Sequence, residues 1–180
     1  YFDVRKDVLY CDDVNGNRRK SARTVLDILF NRLTTWLAPM LCFTMEEAWQ
    51  ERYPDAGSIH RQQFPDVPGD WRDDALERKW SKIKTVRRVV TGALEIERRE
   101  KRMGSSLEAA PVVHVTNDEL MSALDGLDFA EICITSQIEV VKTPADAASF
   151  RLDEVANVAV VHQLAQGNKC ARSWRVLPEV

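Results

Sequence analysis

From Arg18 onward the chain repeats apolar residues at three- and four-residue steps: Ala22, Val25, Leu29, Leu33, Trp36 and Met40. Those steps return side chains to one face of a helix, so the stripe predicts an amphipathic α-helix. Leu26, Phe30 and Leu37 widen it, as expected for an interior helix of a bundle. Pro39 should kink or end this helix near Leu37 or Ala38, because proline has no amide hydrogen and crowds the preceding turn. Residues 1–17 mix aromatics with charges and finish at the turn signal Asn15-Gly16-Asn17. A second helix is expected from Thr44, with Glu47 three residues on in capping-box spacing and Phe43 and Ala48 at the staple positions. Pro54-Asp55-Ala56-Gly57 should stop it after Tyr53, and residues 54–69 read as an ordered connector packed by Phe64 and Ile59.

The longest predicted helix begins after Trp71, capped by Asp70 or Asp73, and runs to about Met103 with Gly104 as its C-cap. Leu76, Trp80, Ile83, Val86, Val90 and Leu94 form its expected buried stripe. Gly92 weakens a helix interior by about 1 kcal/mol relative to alanine, which suggests close approach of another helix or a slight bend. Beyond Ala110 the period changes. Pro111–Val115, Phe129–Ile134, Ile138–Val141 and Val155–Val161 read as strands, and Asp118–Leu124 as a short helix capped by Asn117. The expected fold class is mainly α: a helical domain over residues 1–104, then a small α/β appendage over residues 105–180.

Charge sharpens this division. Residues 1–110 carry a net +2 and residues 111–180 a net -5, within a chain of net -3. The stretch Arg78–Arg102 holds ten basic residues against three acidic ones, Glu95, Glu97 and Glu100. Pairs such as Glu95–Arg98 and Glu97–Lys101 stabilise a solvated helix by a few tenths of a kcal/mol each. Lys79, Lys82, Lys84, Arg87 and Arg88 have only Glu77 nearby, so the alternatives are a solvated face and a surface for a polyanion such as RNA. Arg18, Arg19, Lys20 and Arg23 form a second cluster, where cations oppose the dipole at a helix start and an external anion would be welcome. Such surfaces position a phosphate backbone without reading bases. Trp71 and Trp174 are the aromatics least bound into helical stripes, although local packing anchors explain them better than stacking faces do.

Catalytic signals are poor. There is no phosphate-binding glycine loop, no H-E-x-x-H and no G-x-S-x-G. His60, His114 and His162 are dispersed and fit structural roles, and Glu46-Glu47 point about 100° apart on a helix, so the pair reads as capping. Cys11, Cys42, Cys133 and Cys170 lie 31, 91 and 37 positions apart, which is no disulfide framework and fits a reducing compartment. No run approaches the roughly 20 apolar residues of a membrane span. An opening Tyr1 and an end just after an aromatic-centred turn read as a piece of a longer chain.

The segments YFDVRKDVLYCD and RRKSARTVLDILFNRLTTWLAPMLCFTMEEAW closely resemble bacterial isoleucyl-tRNA synthetases. WRDDALERKWSKIKTVRRVVTGALEIERREKRMGSSLEA continues the likeness, and GNKCARSW is similar to the start of that family's C-terminal zinc module. KRMGSSLEA alone is shared more loosely among related class I synthetases, so a valine or leucine enzyme is an alternative. The resemblance implies the helical anticodon-binding bundle of a class I aminoacyl-tRNA synthetase, a cytoplasmic ligase that joins isoleucine to tRNA(Ile) with ATP. The family's HIGH and KMSKS elements are absent here, so the segment itself is expected to be non-catalytic and monomeric, with ATP confined to the parent catalytic domain. The other reading is a structural or protein-interaction module with a merely solvated basic helix. From charge and helical phase, the RNA-facing candidates are Arg18, Arg19, Arg23, Lys82, Lys84, Arg87, Arg88, Arg98 and Arg102. In the tail, Cys170 stands where relatives begin C-x2-C, but Ser173 replaces the second ligand and no further pair follows. A structural zinc site takes four ligands, so no zinc is expected.

Overall fold

The computed structural model describes all 180 residues. Six helices are α1 (Phe2–Tyr10), α2 (Asn17–Leu37), α3 (Cys42–Arg52), α4 (Asp74–Arg99), α5 (Asp118–Leu124) and α6 (Phe129–Cys133). Five short strands follow α4: β1 (Val112–Val115), β2 (Glu139–Val141), β3 (Val158–Val161), β4 (Asn168–Lys169) and β5 (Val176–Leu177). The chain divides into two compact units, one of residues 8–72 and one joining residues 1–7 to residues 73–180. The boundary expected at 104/105 therefore falls inside the second unit, because the buried face of α4 shares its core with the sheet.

In the unit of residues 8–72, α2 starts at the Asn15-Gly16-Asn17 turn and ends before Pro39, as the proline requires. Ala38, Trp49 and Ile59 form its core, with Phe30, Met45 and Tyr53 packed around them. Trp49 Nε1 donates to the Gly57 carbonyl at 3.1 Å, which satisfies the indole as it is buried. The periodic stripe of α2 does not make this core. Ala22 is buried, but Val25, Leu33, Trp36 and Met40 are exposed, and the helix meets α3 through the side carrying Phe30, Thr34 and Ala38. At 100° per residue the two faces are centred about 140° apart, so the period found the helix and, Phe30 aside, misplaced its buried side.

The expected capping box at Thr44 does not form. Helix α3 begins two residues earlier at Cys42, behind Leu41, with no side-chain cap. Glu46 reaches out of the helix: its Oε2 accepts from Ser58 Oγ and from the Ile59 amide, each at 2.9 Å. That carboxylate pins the connector to α3 and lets Ile59 bury, whereas Phe64, expected to pack there, is exposed.

In the other unit α4 is capped by Asp73, whose carboxylate accepts from the Leu76 amide at 2.8 Å. It stops at Arg99 rather than near Met103, and the left-handed residue after it is Lys101, not Gly104. The part of its apolar stripe in the first two turns, Leu76 and Trp80, is exposed, while Ile83, Val86, Val90 and Leu94 are buried as expected. They pack with Val113 and Val115 of β1 and Val158 and Val160 of β3. The three-stranded sheet has order β2-β1-β3. β1 runs parallel to β2, pairing Val113 with Val140, and antiparallel to β3, pairing Val113 with Val160. Alternation on β1 sends Val113 and Val115 inward and His114 outward, where its Nδ1 lies 2.9 Å from the Thr143 carbonyl oxygen. Gly92 answers to close approach: a Cβ there would stand 3.1 Å from the Phe150 ring.

Asn117 caps α5 as expected, its Oδ1 accepting from the Leu120 amide at 2.9 Å. Residues Phe129–Cys133, read as a strand, are the helix α6. Asp128 accepts from the Glu131 amide at 2.9 Å and Ile134 adopts a left-handed conformation, so one short turn is closed at both ends. Five residues give too little sequence for the period to distinguish this helix from a strand.

Candidate nucleic-acid interface

The nine cations singled out by charge and phase fare differently. In the unit of residues 8–72, Arg19 Nε donates to the Leu9 carbonyl at 2.9 Å, so that guanidinium closes the chain ahead of α2. Arg18 lies 3.9 Å from Asp12, and Arg23 is exposed with no ion pair. The first turn of α2 carries no acidic residue and no side-chain cap, so its amides and cations together present positive potential.

On α4 the sequence showed few local carboxylates, but the fold brings them from elsewhere. Lys82 Nζ donates to Glu119 of α5 at 2.7 Å, and Arg88 Nη2 to Glu154 at 2.5 Å. Arg98 pairs with Glu95 at 2.8 Å. Arg102 is forked onto Glu97 at 2.6 and 2.8 Å and also meets Glu100. Lys84 alone of the α4 candidates is exposed without an ion pair. The pairs of Lys82, Arg88 and Arg98 are solvated on both sides, and exposed pairs contribute only about 0–1 kcal/mol, so a phosphate can replace their carboxylates at little cost. Arg102 differs because Glu97 is largely buried.

Arg87 is the clear departure from the RNA-facing expectation. Its Nε donates to the Ile132 carbonyl at 2.8 Å, and the half-buried side chain ties α4 to α6. The nearby Cys133 thiol is pushed up to about 12 by burial, with Arg87 pulling weakly the other way, so it stays protonated. Charge reversal at Arg87 disturbs packing as well as charge, and at Arg88 it also breaks the Glu154 pair; the outer face is cleanly altered only at Lys84.

Glu97 anchors the end of this helix. The Arg102 hydrogen bond holds its carboxyl below the usual carboxylate range against the opposing effect of burial, and His162 Nε2 stands 3.9 Å away. A carboxyl with a depressed folded pKa stabilises the fold above its unfolded pKa and loses that contribution as pH falls through the folded value. Glu97→Gln should therefore cost about 1 kcal/mol near neutral pH, at the low end for a charged hydrogen bond because Arg102 is half exposed. Urea midpoints of variant and parent should converge in acid; a gap that persists at low pH would contradict the assignment.

The stacking candidates are also placed. Trp71 is half exposed, with the Arg32 guanidinium 4.6 Å from its ring centroid, and Arg32 Nη2 donates to the Asp66 carbonyl at 2.9 Å. That arrangement reads as a packing anchor for the connector. Trp174 is 60% exposed and left-handed, with Lys169 Nζ 5.9 Å from its ring centroid.

No three histidine, cysteine, aspartate or glutamate side chains come together as a ligand set. Around Cys170 the Ser173 hydroxyl and the Ser173 and Arg172 amides hold the thiol below its ordinary value. The turn is closed by backbone bonds, Cys170 amide to Arg175 carbonyl at 2.8 Å and Trp174 amide to Cys170 carbonyl at 2.9 Å. A lone thiolate and a serine cannot complete a four-ligand zinc site.

The model of the anticodon-binding domain of tRNA ligases matches residues 1–114. Over all 180 residues the chain is 61% identical to the isoleucine–tRNA ligase of Agrobacterium fabrum, of which it covers 19%. It is 59% identical to that of Brucella abortus and 53% identical to that of Caulobacter vibrioides, covering 18% of each. The chain thus spans about a fifth of the length of these curated relatives. With the helical scaffold, its cationic faces and the match over residues 1–114 taken together, the chain belongs to the family of anticodon-binding domains of tRNA ligases.

Proposed function

We propose that this chain is the tRNA-holding part of an isoleucine–tRNA ligase, gripping the anticodon stem-loop of tRNA(Ile) while aminoacylation proceeds in a catalytic domain of the same polypeptide. The observation that carries the reading is unbroken likeness to isoleucine–tRNA ligases over every residue of the chain. In this reading residues 1–104 are the RNA-holding module and residues 105–180 its appendage. ATP belongs to the catalytic domain, the chain itself works as a monomer, and the setting is the cytoplasm. No helix is long and apolar enough to cross a membrane.

The RNA contacts are backbone contacts. Lys84 and Arg88 lie one turn apart on the exposed side of α4, and Arg23 with Arg18 marks the start of α2. Lys82, Arg98 and, less readily, Arg102 join after exchanging carboxylate for phosphate. Arg19 and Arg87 support the scaffold that carries these groups. The exposed apolar residues Val25, Leu33, Trp36 and Met40 of α2 supply a face for the parent chain to cover, since patches of this kind mark interaction sites.

A second reading has its own observation. Glu119, Glu154 and Glu95 neutralise three of the α4 cations, as they would on a helix that is merely solvated. Titrating the chain with a tRNA(Ile) transcript and with a transcript of altered anticodon separates them. Binding that favours the isoleucine anticodon supports the proposal, while absence of any saturable binding rejects it in favour of the structural module.

A further inference from the structure

We propose that the groove between α4 and α5 is a second track for RNA phosphates, running along a different face of α4 from the outer cations. This rests on the tRNA-holding reading and adds Arg78 and Lys79, which are not among the nine RNA-facing candidates. The groove is open, encloses about 750 Å³, and is lined by Arg78, Lys79 and Lys82 together with Ser81, Thr85 and Ser122. Ala75, Leu120 and Ala123 form a low apolar floor, and Glu119 is its one carboxylate.

Three physical points favour a polyanion there. Arg78 and Lys79 make no ion pair, so of the three cations only Lys82 is neutralised. Ala75, Arg78, Lys79 and Lys82 follow three- and four-residue steps and thus share one side of the helix, about 140° of rotation from Lys84 and Arg88. The Ser81 and Ser122 hydroxyls stand beside the cations, while Thr85 Oγ1 donates to the Ser81 carbonyl at 3.0 Å, and phosphate oxygens take hydrogen bonds from hydroxyls as well as from Arg and Lys. The floor carries no aromatic stacking face, so the groove follows the backbone and leaves base identity unread.

The test uses the 180-residue chain, a tRNA(Ile) transcript and fluorescence anisotropy over a salt series. The double variant Arg78→Glu/Lys79→Glu is compared with Lys84→Glu/Arg88→Glu, and circular dichroism reports the helix content of both. Groove phosphate contacts predict affinity lowered at least tenfold in the first variant, with a salt slope shallower by about two. The conservative swap Arg78→Lys should keep most of the affinity, which a fold defect would not allow. An unchanged affinity and slope in the groove variant, with the parent still binding RNA, would overturn the groove while leaving the tRNA-holding reading in place. Absence of RNA binding by the parent chain would remove both. A groove variant that lost helix content would be replaced by Arg78→Gln/Lys79→Gln, judged by the same slope.

Discussion

Ile83→Ala is expected to destabilise the unit that contains α4 by about 2–5 kcal/mol, enough to unfold it under mild denaturant. Ile83 is 1% exposed and sits at the start of the buried stretch of α4, in the cluster that includes Val113, Val115 and Val160. Removing three carbons loses their transfer free energy, about 0.8 kcal/mol for each methylene-sized group. A further penalty arises because the surrounding wall is built from helix and sheet backbone that relaxes only partly. Helix propensity works the other way, since alanine favours helix over isoleucine by a few tenths of a kcal/mol, and packing outweighs it. Urea unfolding followed by circular dichroism would measure the effect. A loss below about 1 kcal/mol would mean that α4 does not share a close-packed core with the sheet.

The second large effect is on RNA affinity. Raising monovalent salt from about 50 to about 200 mM should weaken tRNA binding on the order of 100-fold if about four phosphates are neutralised. Four is the count of Arg23, Lys84, Arg78 and Lys79, the proposed phosphate contacts that are neither paired with a carboxylate nor spent on a backbone carbonyl. Cations already paired with glutamate add less, because each must give up its carboxylate before it can neutralise a phosphate and release the cation condensed there. The slope therefore separates the two classes of cation. A slope near zero would show that the basic residues serve solubility and local ion pairs alone; a slope much steeper than four contacts would place Lys82, Arg88 and Arg98 at phosphates too.

The face of α2 shows why tertiary contacts were needed. Its period marked a helix from Asn17 to Leu37 almost to the residue, because proline and the Asn-Gly-Asn turn act locally. The same period called its largest apolar stripe buried, yet α3 packs on the opposite side through Phe30 and Ala38. Hydrophobicity states that a face will be covered, without stating by what. If that face meets further parts of a longer polypeptide, both observations are satisfied at once.

The candidate interface was legible to a similar degree. Charge and phase selected Lys84, Arg88 and Arg23, and these are exposed. They also selected Arg87, whose guanidinium is spent on the Ile132 carbonyl, and nothing near residue 87 in sequence announces a partner 45 positions away. Arg78 and Lys79 were passed over as individual sites; their spacing with Ala75 and Lys82 was readable, but the groove wall came from α5.

The sequence by itself determined the helix-then-sheet order, the cap at Asn117 and the kinship with tRNA ligases, while it narrowed the α4 cap to Asp70 or Asp73 and left close approach or a bend open at Gly92. These follow from local chemistry, hydrogen bonds within one turn, backbone sterics and patterned identity. The tertiary structure decided which cations keep their charge free, which apolar face is buried, and that α4 joins the unit containing the sheet. The physical reason is range. Capping energies act over three or four residues, whereas Coulomb pairing and core packing depend on where distant segments arrive.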